Sequence, residues 1–196
     1  VEDHWVLLNN KLQPQKHEWN GSGNPLIDED WPIISAGLTP LEGTMYTATD
    51  YFLGQSTRYF RENQGYEAGI DLPNINDSEA SQCLVNANIW LTDGLPSVDR
   101  SGNPLGSNVE QALAEAEAAI LRLYDQTERS SRFNEPVKTY VVGFSLPPDV
   151  ANLFGDGENP LDALAEAGGT ERAYLANDED SLNEVMEQVF GNIIAG

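Results

Sequence analysis

The apolar positions of this chain follow two spacings, and their alternation sets the expected architecture. Leu41, Met45, Ala48 and Phe52 recur at the 3-4-4 interval of one helical face and predict a helix over 39–61. Thr39-Pro40 suits its start, with threonine as N-cap and proline at the first helical position. The apolar run Ile89-Trp90-Leu91 predicts a strand at about 85–91. Ser107 and Glu110 form a capping box ahead of a long helix whose apolar face is Val109, Leu113, Ala116, Ile120 and Leu123. A second strand is expected at 137–146, stopped by Pro147-Pro148. A short helix follows at 160–167, ended by Gly168-Gly169, and then a short strand at 171–178. The closing helix places Leu182, Val185, Met186, Val189 and Phe190 on one face.

From residue 85 on, the order is therefore strand, helix, strand, helix, strand, helix. Such alternation implies right-handed crossovers and an α/β fold: a doubly wound, mostly parallel sheet with helices on both faces. The strands lack polar alternation, as expected where both faces are buried. Residues 1–38 are less regular. Trp5 to Leu8 read as a strand, and 19–32 is dense in turn residues. Residues 62–82 and 97–106 read as polar loops. A length of 196 residues suits a single domain, with 39–193 as its core.

Charge narrows the partners. Lys and Arg total 10 against 32 Asp and Glu, for a net charge of -22. Nucleic-acid binding needs clustered Lys and Arg, so it is excluded as the main role, and anionic membrane surfaces are disfavoured. No apolar run reaches the ~18 residues of a membrane span. Cys83 is the single cysteine, so it pairs with nothing inside this chain. His4 and His17 lack companions at zinc-ligand spacing. There is no phosphate-binding glycine loop, no Ser-His pair and no nucleophile elbow, so an enzyme is not expected. Residues 155–159, GDGEN, lack the full pattern of a calcium loop and read as an exposed turn.

The stretch NANIWLTDGLPS, 86–97, carries the candidate chemistry. Its apolar run ends abruptly in Thr92-Asp93-Gly94. In open parallel sheets, ligands bind beyond the carboxyl ends of the strands, which is where Asp93 falls. Its carboxylate is a donor of the kind that Mg²⁺ or Ca²⁺ takes. The alternative is that Asp93 caps the turn through local backbone amides.

Thr39-Pro40-Leu41, Tyr51-Phe52, Gln82-Cys83 and Leu91-Thr92-Asp93-Gly94 stand in the order seen in von Willebrand factor type A domains, above all those of type IV pilus tip-associated adhesins. TYVVGFS and LAEAGGTERAYLANDEDSLNEVMEQVF resemble the later strands and last helix of that family. The resemblance covers about residues 36–193. It implies a doubly wound sheet and a metal-ion-dependent adhesion site in which Asp93 and Thr39 are ligands of Mg²⁺ or Ca²⁺. Thr39 is equally accounted for as a helix N-cap. Ser97 and Asp99 are candidates for a partner-binding rim or are plain loop residues. The resemblance further implies an extracellular, pilus-associated module that binds a protein or surface ligand or other pilus components. A metal-free structural scaffold in such an assembly is the other reading. The family's Asp-x-Ser-x-Ser motif is absent, so the start of the domain is expected to be missing or diverged, with DHWVLLNN as a remnant edge strand. The opening at Val1 fits a processed or cut chain.

Overall fold

The computed structural model describes residues 39–55, 85–105, 108–146 and 159–195, all within the compact unit Leu38–Gly196. The expected strand at Trp5–Leu8, both histidines, Cys83, Ser107, Pro147-Pro148 and most of the GDGEN turn lie outside the described residues. The elements run α1 (Leu41–Phe52), β1 (Ala87–Thr92), α2 (Val109–Glu128), β2 (Lys138–Phe144), α3 (Asp162–Ala167), β3 (Tyr174–Ala176) and α4 (Glu179–Ala195). The three strands form a parallel sheet in the order β1-β2-β3. Ala87 pairs with Lys138 and Thr92 with Gly143, while Val142 pairs with Tyr174. The chain is thus an α/β protein with a small parallel sheet.

Two apolar clusters cover the two sheet faces. Trp90 and Val141 pack with Met45 of α1, Ile120 and Leu123 of α2, and Leu164 of α3. Tyr140, Val142 and Ala176 pack on the opposite face with Val185 and Val189 of α4. Each wholly buried aliphatic side chain here contributes roughly 1.5–3 kcal/mol relative to exposure. Adjacent residues of β2 alternate between the two clusters, so neither face is left to water over its apolar centre, Tyr140 to Val142.

Several boundaries differ from the sequence expectation, each for a local reason. α1 stops at Phe52, well short of 61, because Gly54 adopts φ 68° and Gln55 N–H bonds back to the Asp50 carbonyl at 2.8 Å. That left-handed glycine ends the helix by satisfying its last carbonyls. Thr39 is not the N-cap: Pro40 occupies the cap position and no side chain caps the helix. The backbone of Thr39 is bound elsewhere, as described below. α2 is capped by Asn108, whose side-chain oxygen accepts from Gln111 N–H at 3.2 Å, rather than by a Ser107–Glu110 box. β3 has only three residues, and α4 runs on through Gly191 to Ala195. Phe190 is not on the buried face of α4; it is 50% exposed.

Candidate functional site

The carboxyl ends of the strands gather the predicted residues. β1 ends at Thr92, which is buried, and its hydroxyl donates to the Gly94 carbonyl at 2.7 Å and receives the Gly94 N–H at 3.3 Å. Thr92 therefore closes the turn, not Asp93. The Asp93 side chain is exposed, and among the described residues it makes no hydrogen bond or ion pair. The turn explanation weighed for Asp93 is thus met by its neighbour.

Thr39 comes to the same place from a distant part of the chain. Its N–H donates to Ser97 Oγ at 2.6 Å, and Ser97 N–H donates to the Thr39 carbonyl at 3.1 Å. This reciprocal pair staples the entry of α1 to the loop after β1 through the backbone of Thr39. A Cβ on Gly94 would sit 3.9 Å from Thr39 Oγ1. The Thr39 hydroxyl thus borders the Asp93-Gly94 turn, and its oxygen has no hydrogen-bond partner among the described residues. Ser97 is in the site through its bond to Thr39.

Asp99 has a different employment. Its Oδ1 accepts from Ser101 and Asn103 N–H, both at 2.8 Å, and its Oδ2 accepts from Asn103 Nδ2 at 2.9 Å. Val98 and Pro104 bridge across the same loop, and Gly102 supplies its positive φ of 82°. The carboxyl is held below the ordinary aspartate value, first by the Asn103 side chain, then by backbone N–H groups and Arg100. Because the folded value is depressed, the carboxylate's contribution to loop order is complete above the ordinary value. It disappears as pH falls through the folded one. Amide proton shifts of Ser101 and Asn103 should titrate together, with a midpoint below that of free aspartate. A midpoint at the ordinary value would show that these bonds do not hold in solution.

The loop is latched to α1 by residues the sequence reading passed over. Glu42, 8% exposed, accepts from Arg100 N–H at 2.8 Å, and its other oxygen lies 4.0 Å from Arg100 Nε. The guanidinium groups of Arg100 and Arg122 lie 5.4 and 5.2 Å from the centre of the Tyr46 ring. Nothing in local spacing signals a contact across 58 positions. Ser145 is a second omission: it follows β2 at the same sheet end with φ 51°, and its N–H donates to the Ala176 carbonyl at 2.7 Å. A non-glycine residue in that region is strained, and such strain concentrates at functional rims. Asp50, 2% exposed with an unpartnered Oδ2, lies on α1 about 15 Å of helix from Thr39 and does not join this group.

The donor set around the turn consists of hard oxygens: the Asp93 carboxylate and the Thr39 and Ser97 hydroxyls. Among the described residues, no three His, Cys, Asp or Glu side chains converge as a metal cage. One carboxylate with hydroxyls suits a cation such as Mg²⁺, which keeps several waters and takes one or two protein carboxylates. Among the described residues, no helix is long and apolar enough to cross a membrane. Comparison with protein-family models, with curated proteins and with solved structures finds no match to this chain.

Proposed function

We propose that this chain is a protein-binding adhesion module of the von Willebrand type A class, working at a pilus tip or cell surface. The carrying observation is that Thr92 closes the strand-end turn, leaving, among the described residues, the Asp93 carboxylate exposed and unengaged on a turn that an unengaged Thr39 hydroxyl borders. A carboxylate with no partner among the described residues, at the sheet end where parallel sheets bind ligands, is suited to recognition. Asp93 and Thr39 would hold Mg²⁺ or Ca²⁺, and the bound cation supplies a bridge to an acidic group of the partner. Ser97 fixes Thr39 in place through its backbone, and Asp99 keeps the neighbouring rim ordered. The role is binding, not catalysis. The doubly wound class accords with the parallel sheet and its two helical layers.

The test is calorimetric titration of Mg²⁺, Ca²⁺ and Mn²⁺ into the chain and into Asp93→Ala. Removal of a direct ligand is expected to weaken binding by at least the about 10–100-fold that lost supporting contacts cost metal sites. The exposed position keeps the change in folding stability within about 0.5 kcal/mol. Binding that ignores Asp93→Ala defeats this assignment of the site.

A metal-free scaffold is the second reading, and one observation favours it. The Thr39–Ser97 pair and the Glu42–Arg100 latch hold the rim together through protein contacts alone. A silent titration with all three cations selects this reading.

A further inference from the structure

A second surface lies on the sheet face that α4 occupies. Parallel sheets are stable when helices cover both faces. Among the described residues, α1, α2 and α3 share one face, and α4 alone lies on the other, packed chiefly on β3 and β2. Trp90 enters the cluster under α2, so Ile89 and Leu91 point to the α4 side. Ile89 is partly covered by the Tyr140–Val142 cluster, but Leu91 is 53% exposed.

Beyond Asn183, the flank of α4 that faces this gap is apolar. Asn192 Nδ2 donates to Tyr174 Oη at 2.6 Å, which turns that flank toward β3. Met186 and Phe190 lie about 120° and 160° round the helix from Asn192, and so face across the sheet toward β1. Phe190 is 50% and Ile194 83% exposed. Among the described residues, β1 thus forms the floor, and α4 the side wall, of an apolar face that no second helix covers.

Charge selects the occupant. α4 carries Glu179, Asp180, Glu184 and Glu187 and no Lys or Arg, in a chain of net charge -22. A second copy brings the same charge and is repelled. An apolar stripe matched to Leu91 and Phe190, with basic residues on its flanks, satisfies both features. We infer that this face docks a basic amphipathic helix of another protein.

The probe is a fluorescent helical peptide of about five turns, leucine on one face and lysine on the other, read by anisotropy in about 0.15 M salt. Leu91→Glu and Phe190→Glu are compared with Leu121→Glu, a 45% exposed position on α2 in the opposite layer. All three add one negative charge, so diffuse attraction to the peptide rises equally. Docking on this face predicts that Leu91→Glu and Phe190→Glu weaken binding about tenfold or more. Leu121→Glu should leave it unchanged. Ile194→Glu gives the same reading if either variant misfolds. Failure of the wild-type chain to bind, equal behaviour of the variants, or a self-dimer abolished by Phe190→Glu would overturn the inference.

Discussion

Ile120→Ala should lower the free energy of unfolding by about 2–5 kcal/mol. Ile120 is wholly buried in α2 and packs in the cluster that joins α1, α2, α3 and the sheet. Truncation removes its transfer free energy and leaves a cavity. Its surroundings are poorly placed to collapse into that cavity: Ala116, Ala119, Leu123 and Val141 are also wholly buried, and β2 is held in register on both sides. Urea unfolding followed by circular dichroism measures the loss. A change below about 1 kcal/mol would mean that the layer between α2 and the sheet repacks freely, contrary to a close-packed interior.

The second large effect is expected from Gly168→Ala, a loss of about 1–3 kcal/mol. Gly168 follows α3 with an ordinary negative φ, so the backbone would accept alanine. Space does not. The new Cβ would lie 2.8 Å from both Cβ and the carbonyl oxygen of Thr139, and 3.2 Å from Ile120 Cγ2. Thr139 is wholly buried in β2, and its N–H donates to the Gly168 carbonyl at 2.8 Å. Moving the turn away from Thr139 therefore also pulls on that bond. The double variant locates the obstruction. Because both Thr139 contacts stay in place, Ile120→Ala should rescue Gly168→Ala only in part, through relief of the 3.2 Å contact. Strong rescue in the same urea experiment would place the clash on Ile120 instead.

The legible parts of the fold were those written in local spacing. β1 and β2 lie within two residues of their expected bounds, and Val109, Leu113, Ala116, Ile120 and Leu123 do form the inward or boundary face of α2. The end of α1 was also written locally, in Gly54, but the extended helical pattern outweighed a single glycine. Phe190 is instructive in another way. Its spacing fits the apolar face of α4, yet α4 packs chiefly on β3 and β2, so Phe190 on its β1-facing flank is left half exposed.

Within the candidate site, Asp93 was named from its place at a strand end and Thr39 from the family resemblance, and the fold brings their segments together. The reason they meet was not legible. It rests on Thr39 binding Ser97 across 58 positions, and on Glu42 gripping the backbone of Arg100 across the same separation. Asp99 was nameable as a rim residue, but only the loop's closure directs both its oxygens inward.

The sequence alone determined the order and type of the elements, because hydrophobic period and turn chemistry act between near neighbours. It also determined the acidic character of the chain, because charge adds regardless of fold. Tertiary structure decided which polar groups are occupied and which are free. A hydroxyl or carboxylate finds its partner through space, so only the assembled sheet assigns Thr92 to the turn and Asp99 to its loop, and leaves Asp93 exposed without a partner among the described residues.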